Sequence, residues 1–187
     1  MSEVKAIYRY PIKGLSGEAL PRVELEAGGA FPFDRVFALV RPGAPIDPEA
    51  PKWAKKGLFL MSMLDDGLSE IVSHVDPNTL RLTVERDEER LLVADLGEPD
   101  GRAAVEAFFR KQVPGLREAP RLVRSRDGHF ADKPENLISL INLATVRSLE
   151  AQWGYEIDPL RFRANLYVDG FAECAFIAIC CDYLLVE

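Results

Sequence analysis

The sequence predicts a mainly β protein with a few helices, an α+β chain of the β-barrel type. Two patterns carry that expectation. Over residues 4–95, short runs rich in β-branched and aromatic residues alternate with turns built on Gly, Pro and Asn, the signature of a small β-barrel or sandwich. Beyond Pro99, two stretches switch to the i, i+3, i+4 spacing of helices with one buried stripe. A chain of 187 residues, 48% hydrophobic and 28% charged, is expected to be globular and soluble, with enough core for one domain or two small ones.

Residues 4–10 alternate and read as a strand stopped by Pro11. The loop over 11–17 holds Gly14, Gly17, Ser16 and Lys13, a composition able to offer backbone N–H groups and an ammonium to an anion. It lacks the Gly-x4-Gly-Lys-Ser/Thr spacing of a phosphate-binding loop, and an ordinary connection is the alternative. A second strand is expected over 19–26, turned by Gly28 and Gly29, and a third over 33–40. There Asp34 and Arg35 form either a surface pair of little energetic weight or a site residue beside its neighbour, with Arg35 pointing toward Lys13. Residues 41–56 contain four prolines, which neither helix nor central strand tolerates, so they form a long loop, a candidate lid. The apolar run 58–64 reads as a buried strand. Strands over 68–75 and 79–86 flank the turn Asp76-Pro77-Asn78, and a further turn at 87–90 leads into a strand over 91–95.

Asp100 is the expected cap of a helix bearing Val105, Phe108 and Phe109, ended by Pro114 and Gly115. Residues 116–124 are strand-like, and His129 lies in a polar loop where a solvent-facing ring is the ordinary outcome. From Leu137 a buried strand runs into a helix with Asn142 as N-cap, Val146, Leu149 and Trp153 as its apolar stripe and Gly154 just past its end. Ser139, Asn142 and Thr145 gather at that helix start, where free N–H groups either attract an anion or are simply capped. Residues 158–170 read as one alternating strand. Leu160, Phe162, Ala164, Leu166 and Val168 would face the core, with Arg161, Arg163, Asn165, Tyr167 and Asp169 opposite. Arginine forks beside a carboxamide suit a phosphate or the polar edge of a heterocycle; an edge strand with solvated arginines is the alternative.

A net charge of −7 argues against general nucleic-acid binding, which depends on excess Lys and Arg. No secretory signal and no apolar run of about 18 residues is present, so no membrane span is expected and the cytoplasm is the expected location. Cys174, Cys180 and Cys181 are an odd set near the end of the chain and make no disulfide framework. Dinucleotide, zinc-protease, serine-hydrolase and zinc-ribbon motifs are absent.

Two segments together resemble a known family. Tyr8-Arg9-Tyr10-Pro11-Ile12-Lys13-Gly14, followed by Gly28-Gly29 and Asp34-Arg35, is similar to the opening of the β-barrel domain that precedes MOSC domains. Ser139-Leu-Ile-Asn142-Leu-Ala-Thr145 and Asp158-Pro-Leu-Arg-Phe-Arg-Ala-Asn165-Leu-Tyr-Val-Asp169-Gly170 resemble the first part of the MOSC domain itself. The family is similar to the molybdenum cofactor sulfurase C-terminal domain and to the amidoxime reducing component of mitochondria.

The resemblance implies two domains, a MOSC N-terminal β-barrel-like domain at 1–120 and a partial MOSC domain at 121–187, with molybdopterin bound between them. It implies that Lys13 and Arg35 hold the cofactor's phosphate and pterin from the first domain, and that either Asn142 or Thr145, with Arg163 and Asn165, completes the cradle. Members often carry serine after the lysine, where this chain has Gly14. They ligate the metal through an Arg-Cys segment some thirty residues beyond the Arg-x-Asn strand. This chain has twenty-two residues after Asn165 and no Arg-Cys among them, so a truncated MOSC domain is expected, lacking its usual second half. Cys180 and Cys181 are the candidate substitute thiolate ligands, and small apolar packing is the alternative role of all three cysteines. Two functions follow from the resemblance. One is a molybdenum-dependent oxidoreductase acting on N-hydroxylated compounds with an electron-transfer protein as partner. The other is a non-catalytic pterin-binding or protein-interaction module, whose open strand edges favour oligomers or partner binding.

Overall fold

The structure, a computed structural model, describes residues 2–126 and 128–172. The described residues are mainly β with two α-helices, and the chain divides into two compact units whose segments interleave along the sequence.

The first unit comprises the described residues of Met1–Arg9, Ala19–Pro32 and Glu135–Glu187. Its sheet is ordered β2-β1-β9-β8, from strands β1 (Glu3–Arg9), β2 (Glu18–Leu20), β8 (Leu140–Asn142) and β9 (Leu166–Asp169). β1 runs antiparallel to β9, whereas β8 and β9 are parallel with Leu140 opposite Leu166. Parallel neighbours need a crossover, and α2 (Leu143–Trp153) supplies it. A central strand under such a crossover is covered on both faces. Tyr167 accordingly packs with Ile141 and Val146 on one side, and Leu166 and Val168 with Phe31 on the other.

That double burial corrects the expectation of one long strand over 158–170 with a polar face. Asp158 instead accepts a hydrogen bond from Leu160 N–H at 2.9 Å and caps a 3-10 turn, Pro159–Phe162, with Pro159 in its first turn. Arg163 then takes the left-handed conformation, φ 55°, and the ladder begins only at Leu166. Proline has no N–H for a ladder and its φ suits a helical start, which explains why the alternation fails at its beginning. Tyr167, expected on the polar face, is 2% exposed.

At the end of β9, Arg147 of α2 donates to both oxygens of Asp169, at 3.0 and 2.7 Å. Those hydrogen bonds, with one from Gly170 N–H, hold the Asp169 carboxyl at about 2. A depressed carboxyl stabilises the fold above its ordinary value near 3.8 and loses that contribution as pH falls toward 2. Thermal unfolding followed from pH 5 to pH 2 is therefore expected to show a smaller acid-induced fall in Tm for Arg147→Met than for the native chain.

The second unit comprises the described residues of Tyr10–Glu18 and Phe33–Pro134. β3 (Phe37–Val40) pairs antiparallel with β7 (Arg121–Arg124). β4 (Val72–Val75), β5 (Arg81–Arg86) and β6 (Glu89–Asp95) form a meander. α1 (Pro99–Gln112) starts with Pro99 in its first turn and buries Val105 and Phe109, as its spacing predicts. The cap, however, is Glu98 rather than Asp100, which sits within the first turn, where a carboxylate suits the helix dipole. Ile12, Leu15, Phe37, Leu39, Leu82 and Phe109 belong to one continuous core. The ladders among the described residues form three separate sheets and close no barrel.

Several expected strands are shorter, those over 33–40, 68–75 and 116–124 keeping only Phe37–Val40, Val72–Val75 and Arg121–Arg124, and two more depart further. The one over 19–26 is reduced to Glu18–Leu20. Residues 58–64 make only an isolated bridge, Phe59 to Val40, after the 3-10 turn Lys56–Leu58. Asp65 explains the second case: its buried carboxylate accepts from Met61 N–H at 2.8 Å and from Arg41 at 2.8 and 2.6 Å, folding the run into a turn before a ladder can extend. Trp153, expected in the buried stripe of α2, is 51% exposed and stacks on Tyr155.

Candidate functional site

In the second unit the loop after β1 is stitched to β3. Ile12 bridges Phe37 in parallel, and Lys13 N–H donates to Phe37 C=O at 2.8 Å. Gly14 has φ +83°, and a Cβ there would lie 2.5 Å from the Leu60 carbonyl oxygen and 2.6 Å from Met61 Cα. A side chain has no room at this position, which is the physical reason for a glycine here.

Lys13 is thereby drawn inward until it is 4% exposed. Its ammonium donates to the Phe130 carbonyl at 2.6 Å and to Asp132 Oδ1 at 3.0 Å, and lies 5.8 Å from the centre of the Phe59 ring. Phe130 is itself held by its N–H to Arg35 C=O at 2.8 Å and by its ring against Phe59. Partial burial pushes the Asp132 carboxyl up, but the Lys13 ammonium, with the fields of Arg35 and Lys56, outweighs this and holds it below its ordinary value. The fields of three cations thus bear on Asp132, and with Arg35 also paired to Asp34 the three cations face two carboxylates in a chain of net charge −7. Such a donor set suits a phosphate or another oxyanion. Lys56 and Asp132 carry no local signal in the sequence; only the fold brings Asp132 to Lys13 and into the field of Lys56.

Asp34 and Arg35 are not a surface pair. Their side chains are 7% and 14% exposed, and Arg35 ion-pairs with Asp34 while its guanidinium lies 4.6 Å from the centre of the Tyr10 ring. Asp34 Oδ1 also accepts from Tyr10 N–H at 2.7 Å. One carboxylate therefore tethers both the start of the Lys13 loop and the arginine.

The other expected site residues belong to the first unit. Asn142 ends β8 and caps α2, accepting from Ala144 N–H at 3.1 Å while its amide donates to Ala172 C=O at 2.9 Å. Thr145 stands in the first turn of that helix and is half-buried. Arg163 is the left-handed residue closing the 3-10 turn, with its N–H on Leu160 C=O at 3.0 Å.

Asn165 is 1% exposed, and its side chain is engaged within the unit. Its Oδ1 accepts from Ser139 N–H at 3.2 Å and Ser139 Oγ at 2.8 Å, and its Nδ2 donates to Tyr8 C=O at 3.2 Å. The carboxamide thus joins β1 to the segment leading into β8. Asn165→Ala is expected to destabilise the chain by about 2–4 kcal/mol, because it leaves buried N–H and C=O groups without partners. The shift of the urea midpoint would measure it.

His129, expected to face solvent, is 9% exposed, and its Nδ1 accepts from Ala131 N–H at 3.2 Å. The loop folds over it to bring Phe130 and Asp132 to Lys13. No group of three or more His, Cys, Asp or Glu side chains among the described residues could hold a metal ion. Cys174, Cys180 and Cys181 lie outside the described residues. No helix among the described residues is long and apolar enough to cross a membrane.

No solved structure matches the chain. Two curated sequences, each named as a subunit of eukaryotic translation initiation factor 3 and each from a strain of Aspergillus fumigatus, are 30% identical to it over 105 residues. The match covers 55% of this chain but only 12% of the length of these relatives. The family model for the MOSC N-terminal beta barrel domain matches residues 1–113, which include Lys13, Gly14, Asp34, Arg35 and Lys56. The chain belongs to the MOSC N-terminal beta barrel domain family.

Proposed function

We propose that this chain binds the molybdenum cofactor by its phosphate and pterin. The observation that carries this reading is the buried ammonium of Lys13 paired with the exposed Asp132 carboxylate, on which the fields of Arg35 and Lys56 also act. In this reading Lys13 and Arg35 supply charge to the phosphate from residues 1–120, the MOSC N-terminal β-barrel-like domain. Arg163 and Asn165, with Asn142 or Thr145, contribute from the partial MOSC domain at 121–187. Lys13 fits best, since a buried ammonium already faces an anion at 3.0 Å. Asn165 fits through the backbone it orients, because its carboxamide is engaged with Ser139 and Tyr8. The bound group would supply oxygen-atom chemistry at molybdenum, and the activity would be reduction of N-hydroxylated compounds with electrons from a protein partner. The residues of this chain would neutralise, orient and shield the cofactor.

A second reading is a non-catalytic module that binds the pterin or another protein. It is favoured by the likeness to a segment making up 12% of a protein named as part of a translation initiation factor, which shows that a similar stretch occurs as a small part of a much longer chain. Elemental analysis for molybdenum and pterin fluorescence, on the chain purified from a host that makes the cofactor, test the two together. Both signals support the oxidoreductase. Pterin without molybdenum supports the module, and neither signal defeats cofactor binding.

A further inference from the structure

We propose that Asp132 is a built-in competitor for the anion site at Lys13: its carboxylate holds the place a ligand phosphate takes, and the anion binds by displacing it. This deepens the cofactor-binding reading and rests on it.

Phe130 C=O and Asp132 Oδ1, both oxygen partners of the Lys13 ammonium, differ in how firmly they are placed. The Phe130 carbonyl is part of a backbone tied to Arg35 C=O and a ring set against Phe59, so it cannot leave without unpicking the core. The Asp132 side chain is 77% exposed and reaches the ammonium from outside, while Lys13 is 5% exposed. Beside it the backbone is pinned at both ends of Ala131, whose N–H donates to His129 Nδ1 at 3.2 Å and whose C=O accepts from Trp53 Nε1 at 2.8 Å. Rotation of one side chain therefore opens the position and leaves the loop in place.

Charge sets the direction of the exchange. Asp132 brings one negative charge to the Lys13 ammonium and the fields of Lys56 and of Arg35, which is also paired with Asp34, whereas a phosphate near neutral pH brings up to two and more acceptor oxygens. The internal ion pair keeps the buried ammonium satisfied when no ligand is present. It also rejects weakly charged anions, which cannot repay the displacement of Asp132.

Titration calorimetry of the full chain with inorganic phosphate, at constant ionic strength, tests the idea. Asp132→Asn is expected to bind phosphate about tenfold more tightly than the native chain, Asp132→Ala to shift in the same direction, and Lys56→Gln, an exposed change, to bind more weakly. Thermal unfolding of each variant establishes that it is folded. If both Asp132 variants bind no more tightly than the native chain while Lys56→Gln still weakens binding, the competitor is overturned and the anion site stands. If folded Asp132→Asn and the native chain both fail to bind phosphate, the anion site and the competitor fall together.

Discussion

Asp34→Ala is expected to destabilise the chain by about 3–5 kcal/mol, the cost of stranding one member of a buried ion pair. The residue is 6% exposed and serves two partners at once. Its removal leaves the Arg35 guanidinium, 14% exposed, without its carboxylate, and takes the acceptor from Tyr10 N–H at the start of the Lys13 loop. Asp34→Asn keeps an acceptor for Tyr10 and loses only the charge, so its effect is expected to be smaller. Urea unfolding of the three proteins measures the series. A loss under about 1 kcal/mol for the alanine variant would mean that the pair behaves as an exposed one, in which case the geometry around Arg35 is not held by Asp34.

Gly14→Ser is expected to cost on the order of 2–5 kcal/mol, combining a left-handed conformation for a residue with a side chain and a collision with backbone. The collision is the larger problem, because the nearest atoms are the Leu60 carbonyl oxygen at 2.5 Å and Met61 Cα at 2.6 Å rather than the tip of a side chain that can swing away. Gly14→Ala is expected to cost about as much, since the Cβ alone makes the contact. Relief would come from moving the loop off residues 60 and 61, which would carry Lys13 out of its contact with Phe130. Both variants are therefore also expected to weaken phosphate binding. Near-native stability together with unchanged phosphate binding would contradict the steric account. The glycine is thus a consequence of how closely this chain packs its loop.

Much of the second unit was legible in the residues. The helix Pro99–Gln112 followed from the Val105, Phe108 and Phe109 spacing, though its cap is Glu98 and not Asp100, and the meander β4-β5-β6 followed from turn residues between alternating runs, because both signals are local. Asn142 and Gly154 marked the ends of α2 correctly for the same reason: a cap is a bond between residues two or three apart. The run 58–64 failed because strand formation needs a neighbouring ladder, and the buried carboxylate of Asp65 turned the chain away from one. Residues 158–170 failed because alternation records which faces are wet, and a strand covered on both faces has no wet one.

The sequence by itself determined the mainly β character, both helices and the ends of α2, the long proline loop, and the family to which Lys13, Gly14 and Arg35 belong. Those features rest on residues close together in the chain, where propensity, capping and spacing act directly. Only the tertiary structure decided that Asp34 and Arg35 are buried, that Asn165 fastens β1 to the segment before β8, and that Asp132 pairs with Lys13 within the field of Lys56. Lys13 and Asp132 are 119 positions apart and meet because Lys13 is sewn to β3 at Phe37 while Phe130, two residues before Asp132, is hydrogen-bonded to Arg35 just before that strand. A charge pair of that separation leaves no period and no motif in the sequence, since the energy that joins it is supplied by the packing of everything between.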